Sequence, residues 1–187
     1  MCLITWKFSS RSRVAMRALY ISLALTTSCL SDDLKAYVSK RDLEEFHFPL
    51  DAQNQQIWFN FYVTASENDT TRVLVNGGAK IVPSAITAVR DKKLFKRRYA
   101  IAALGYLKDR AALKVLGDIL HDAGELDYFR GDALESLFLI DEEIGKAEAV
   151  KVLAEAFDIK GDSLTLRIAR RIIYDPTSIQ KTLPSTP

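Results

Sequence analysis

Two nine-residue stretches of the chain are near copies of one another. ALKVLGDIL (112–120) aligns with AVKVLAEAF (149–157) at a shift of 37, placing Ala112 on Ala149, Leu116 on Leu153 and Leu120 on Phe157. RRYAIAAL (97–104) aligns with RGDALESL (130–137) at 33, with Arg97 on Arg130, Ala100 on Ala133 and Leu104 on Leu137. The difference of four falls near DEEIGK, where a loop is expected. An earlier copy, LVNGGAKIVPSAITAVRD (74–91), puts Val82, Ala85 and Val89 in the places of Leu113, Leu116 and Leu120. Apolar residues three and four apart predict helices. A helix pair of this size cannot cover its own apolar face, so adjacent copies must stack to make a continuous interior, and about three are needed. The expected fold class is therefore all-α.

The run LVNGGAKIVPSAITAVRDKKLFKRRYAIAALGYLKD resembles bacterial HEAT-like repeats: a helix ending in a small-residue turn, a "VP" second helix, an aspartate, then an arginine opening the next first helix. The resemblance covers about residues 69–173. It implies a short right-handed α-solenoid of antiparallel helix pairs. It also implies that Asp91 and Arg97 tie one repeat to the next through a charge-assisted hydrogen bond. Arg130 repeats the arginine, eight residues after Asp122 rather than six. Ala100 and Ala133 suit a close approach of helices, and NGG (76–78) reads as a turn that needs positive φ.

Flanking segments complete the expected organisation. DAQNQQIWFNFYVTASEN opens at Asp51 and groups Ile57, Trp58, Phe61 and Tyr62 in an apolar stripe, with Trp58 and Phe59 expected in packing rather than on a binding platform. SLTLRIARRIIYDP predicts a last helix with Leu166, Ala169 and Ile173 inward. The repeat domain is thus placed at 51–175, after a tether and lead-in at 29–50. Residues 176–187, rich in Pro, Ser and Thr, are expected to be a flexible tail.

The N-terminus has a different character. Lys7, Arg11, Arg13 and Arg17 occur without an acid, and ALYISLALTTSCLS (18–31) carries no charge. That is signal-peptide polarity. As a helix this apolar run would span about 20 Å against roughly 30 Å of bilayer hydrocarbon, too short for a permanent span. LTTSC resembles the bacterial lipoprotein signal, which implies that residues 1–28 are cleaved, that Cys29 is acylated and that the chain is tethered to a membrane. Ordinary cleavage near Ser28, and an uncleaved anchor or a non-exported N-terminus, are the other readings of the same residues, and Met16 is an alternative start. By the same resemblance, Leu30 rather than aspartate after the cysteine points to the periplasmic face of the outer membrane. Loss of Cys2 with the signal would leave no thiol for a disulfide.

Composition narrows the function. Hydrophobic residues make up 48% and charged residues 27%, as in an ordinary globular chain. Four of the 26 bases and none of the 24 acids precede residue 29, so the remainder has 22 bases against 24 acids. Such a chain lacks the basic footprint of a general nucleic-acid binder. HExxH, CxxC, GxSxG, P-loop and GxGxxG motifs are all missing, and His47 and His121 are the only histidines. No enzymatic activity, cofactor or metal is implied. The basic run RDKKLFKRR (90–98) is expected to be a loop and helix start with its charges in water, although it could bind phosphate or anionic lipid headgroups. Asp141, Glu142 and Glu143 are expected to form an acidic loop.

Lys114, Asp118 and His121 share one helix face, and their counterparts are Lys151, Glu155 and Asp158. In the solenoid family the second helices line the concave side, so the resemblance makes these six residues the candidate contact surface. The expected function is a membrane-tethered periplasmic binding module for another protein or peptide of the envelope. An envelope immunity protein against a secreted toxin is the alternative, and an enzyme related to the HEAT-like bilin lyases stands behind it.

Overall fold

A computed structural model describes residues 54–64, 66–155, 163–179 and 183. The signal segment, Cys29, the tether at 29–50 and Asp158 lie outside the described residues. Among those described there are eight α-helices and no strand: α1 Gln55–Val63, α2 Glu67–Asn76, α3 Val82–Ala88, α4 Arg97–Leu107, α5 Leu113–His121, α6 Asp127–Ile140, α7 Glu142–Glu155 and α8 Leu164–Tyr174. Short 3-10 turns lead into α3 (Gly78–Ile81) and α5 (Arg110–Ala112), and another follows α8 (Pro176–Ser178). No described helix is long and apolar enough to cross a membrane.

The helix boundaries follow from local chemistry. Ser66 and Ser163 cap α2 and α8 by accepting from the backbone N–H of Asp69 and Leu166. Pro83 sits in the first turn of α3, where its missing N–H costs nothing. Gly78 takes φ 62°, the positive value expected for the NGG turn.

One boundary differs from expectation. Only Asp141 separates α6 from α7, and Glu142 and Glu143 begin a helix instead of a loop. The Asp141 carboxylate accepts from the N–H groups of Glu143 and Ile144, both at 3.2 Å, and the two glutamates lie at the positive end of the helix dipole. The additional residues of this copy fall at the start of α7, which opens at Glu142, eight residues before Val150, the counterpart of the first residue of α5.

Packing runs in sequence order. α4 lies against α2 and α6, α6 against α4 and α8, and each of α3, α5 and α7 packs on a neighbour from this row. α4 and α6 are thus covered on several sides, which explains why Ala100, Ile101, Ala103 and Leu104 in one, and Ala133, Leu134 and Phe138 in the other, have no exposed surface. Burying each large side chain contributes about 1.5–3 kcal/mol. Small residues set the helix separation. A Cβ on Gly105 would lie 2.8 Å from the Ser136 Cα, while the Ser136 hydroxyl donates to the Ile101 carbonyl at 3.0 Å.

Trp58 is buried and donates Nε1–H to the Ser84 hydroxyl at 3.1 Å, so it belongs to the core as expected. In α8, Leu166 and Ala169 are buried, whereas Ile172 rather than Ile173 is the deeper of the next two. The body also continues past residue 175. The turn Pro176–Ser178 returns Ile179 to the core, where it is 2% exposed, and the Arg171 guanidinium donates to both the hydroxyl and the carbonyl of Ser178.

Candidate functional site

Of the expected contact residues, Lys114, Asp118 and His121 are exposed on α5 and Lys151 and Glu155 on α7. Lys114 and Asp118, one turn apart on α5, pair at 3.0 Å and remain exposed. Such a pair contributes about 0.3–0.5 kcal/mol, so it positions charge more than it stabilises. His121, in the last turn of α5, reaches across to α7 and brings Nε2 to 2.9 Å from Glu148 Oε2. Lys151 donates to the other oxygen, Oε1, at 2.7 Å. One carboxylate therefore holds an imidazole from one helix and an ammonium from its own.

Partial burial pushes Glu148 upward, but the hydrogen bond and charge of Lys151, joined by His121, outweigh it and hold the carboxyl below its ordinary range. Glu148 escaped the sequence argument because its counterpart is Ala111; the only signal was its position one turn before Lys151. Glu155 is exposed at the end of α7 and is not drawn into this group. Arg110 adds a further tie, meeting Asp141 at the start of α7 at 3.0 Å.

The strip of Lys114, Asp118, His121, Glu148 and Lys151 alternates in sign along two helices. A nearly balanced surface of this kind suits a polar, mixed-charge partner better than a polyanion. Among the described residues no group of three or more His, Cys, Asp or Glu side chains could hold a metal ion.

A second polar group crosses α4, α6 and α8. Arg98 clasps Asp132 through Nε at 2.6 Å and a terminal nitrogen at 3.2 Å. Burial raises the Asp132 pKa, partly offset by Arg98. Burial likewise raises Glu135, one turn on, against the attraction of Arg171 and with a further push from Asp132. Tyr106 is raised by burial and then by the charge of Glu135. Neither carboxylate is foreseeable from sequence, since each reads as a solvated charge on an amphipathic helix.

The inter-helix connections form a third group, and here the expectation for residues 90–98 is partly overturned. Arg97 is 3% exposed. It donates Nε–H to the Val89 carbonyl at 2.6 Å, pairs with Glu125 at 2.6 Å and places its guanidinium 4.9 Å from the Phe129 ring centre. The Asp91 carboxylate accepts from the Lys93 backbone N–H at 2.9 Å. Glu125, from the next connection, closes on Arg97 in the interior.

Arg130 repeats the backbone half of this arrangement, donating Nε–H to the Leu120 carbonyl at 2.8 Å. Val89 and Leu120 are the residues aligned by the repeat, so both arginines latch onto the last turn of the preceding helix. Lys96 is also drawn in. Its ammonium donates to the carbonyls of Phe61 and Tyr62 at 3.2 and 3.1 Å and to that of Thr64, and burial lowers its pKa to about 8. Arg90, Lys92 and Lys93 in the loop, and Arg98 at the helix start, remain exposed as expected.

Comparison with known protein families, curated proteins and solved structures finds no match.

Proposed function

We propose that this chain is a membrane-tethered binding module of the bacterial envelope. Its helices form a short right-handed α-solenoid of antiparallel, HEAT-like pairs, with α2, α4, α6 and α8 as first helices and α3, α5 and α7 as second helices. Support for that arrangement comes from the sequential packing of the first helices and from the arginine latch that recurs at Arg97 and Arg130. Acylated Cys29 holds the module at the membrane, facing the periplasm, and the α5/α7 surface receives another envelope protein or peptide.

The observation that carries the binding reading is the Glu148 carboxylate shared between His121 and Lys151. It fixes a preformed strip of alternating charge across two helices, so that little side-chain freedom is lost when a partner docks. Lys114 and Lys151 are 79% and 58% exposed, so reversing their charge leaves the fold intact.

The test has two arms. Mass spectrometry of the membrane fraction should find an acylated N-terminal Cys29, and an intact first methionine would refute the tether. Crosslinking in intact envelopes should yield a specific adduct to wild type that Lys114→Glu/Lys151→Glu loses; an adduct unchanged by the double reversal would remove the α5/α7 surface from consideration.

A further inference from the structure

The connections before α4 and α6 lie side by side. Lys92 pairs with Asp122 at 2.7 Å, and Arg97 pairs with Glu125 at 2.6 Å. These bonds hold the two connections together at one edge of the helix row. Three large apolar side chains on this edge are partly exposed, Phe95, Leu126 and Tyr128, at 36%, 55% and 41%; the inner side of the Phe95 ring packs on Tyr62 at 5.6 Å and Tyr128 on Phe129 at 4.3 Å. Phe95 and Tyr128 each stand two residues before the latching arginine of their copy, so the exposed ring repeats with the repeat.

Charge on the same edge is one-sided. Residues 90–98 and 122–130 contain seven bases and four acids. Three of those acids are occupied: Asp122 by Lys92, Glu125 by Arg97, and Asp127 by the Ser163 hydroxyl and the N–H groups of Leu164 and Thr165. Asp91 accepts from the Lys93 N–H. Arg90 and Lys93 are exposed, and no ion pair among the described residues reaches either side chain.

We infer that this edge is a bilayer-contacting surface, which lays Phe95, Leu126 and Tyr128 into the interfacial region of an anionic membrane while Arg90 and Lys93 meet lipid phosphates. Aromatic and aliphatic side chains interleaved with long basic ones suit that boundary. Rings and methyl groups leave water, and the basic stems extend their charge to the headgroups. A polar protein partner has no use for three exposed apolar tips beside two uncompensated bases. The surface is separate from the α5/α7 strip and does not depend on acylation of Cys29, so either reading can fail alone.

The experiment uses the full chain with Cys29→Ser, mixed with vesicles of phosphatidylcholine alone or of phosphatidylcholine and phosphatidylglycerol. It reads cosedimentation and residue-resolved amide hydrogen exchange. On the anionic vesicles, residues 90–96 and 122–129 should exchange several-fold more slowly. Arg90→Gln/Lys93→Gln should weaken partitioning by at least about tenfold. Leu126→Asp/Tyr128→Ser should abolish the protection while circular dichroism stays unchanged.

Three results would overturn the inference: cosedimentation with exchange in both connections unaltered, equal protection on neutral vesicles, and absence of binding. Protection that grows with protein concentration in the absence of lipid would also overturn it, and would assign the edge to contact with a second copy.

Discussion

The Arg97 guanidinium sits 2.6 Å from the Glu125 carboxylate, with both side chains almost wholly removed from water at 3% and 4% exposure. Removing one member of such a pair strands the other. Arg97→Met or Glu125→Leu alone should cost about 3–5 kcal/mol in denaturant unfolding, whereas the double substitution should recover most of that loss. Equal losses from the singles and the double would show that the pair is not coupled.

The two arginine latches differ in what surrounds them. Arg130 is only half-buried, and its latch to Leu120 is its one bond to the preceding helix, so Arg130→Ala should cost about 1.5–3 kcal/mol, less than Arg97→Ala. Unfolding curves of the two variants rank them directly. A greater loss at Arg130 would mean that the carbonyl bond, and not the buried acid, carries the connection.

Three glycines make opposite predictions for the same substitution. A Cβ at Gly145 would enter the backbone of Phe138, 2.7 Å from its nitrogen, and one at Gly105 would press on Ser136; nothing lies within 4 Å of one at Gly117. Gly145→Ala and Gly105→Ala should therefore destabilise, the first more, by about 1–3 kcal/mol. Gly117→Ala, in the interior of α5, should stabilise by about 0.5–1 kcal/mol. Thermal melts of the three variants provide the check.

Acid acts on the carboxylates of α6 with opposite signs. Burial raises Asp132 and Glu135, so their charged forms oppose folding at neutral pH, and this opposition fades as pH falls through the raised values. Asp127 is opposed by burial, but bonds from Ser163, Thr165 and the Leu164 N–H hold it below 3.8. Its contribution is present above that value and lost as pH falls through the depressed one. Glu135→Gln should therefore raise the melting temperature at pH 7, with the gain shrinking as pH approaches 4.5. Asp127→Asn should lower the melting temperature at neutral pH, with the difference narrowing only below 3.8. Melting temperature against pH for the three proteins decides both.

Much of the interior was legible from spacing alone. Val82, Ala85, Val89, Leu116 and Leu120 are all buried where the aligned copies placed them, because a side chain's face on a helix is fixed by its own position modulo three or four residues. Alignment of Arg97 with Arg130 marked both as inter-repeat residues but paired them with aspartates; the bonds each makes to a carbonyl at the end of the helix before it were not foreseen.

What the sequence determined by itself, then, was the helical class and most of the inward faces. Tertiary structure alone decided which charges meet. Glu125 lies 28 residues from Arg97, Glu148 lies 27 from His121, and Lys96 finds carbonyls more than thirty residues back. Each of these contacts depends on where two connections or two helices come to rest, and hydrophobic period carries no information about that. The same holds for Ile179, in a segment without periodicity, which is buried after a turn held by Arg171 and by Asp175.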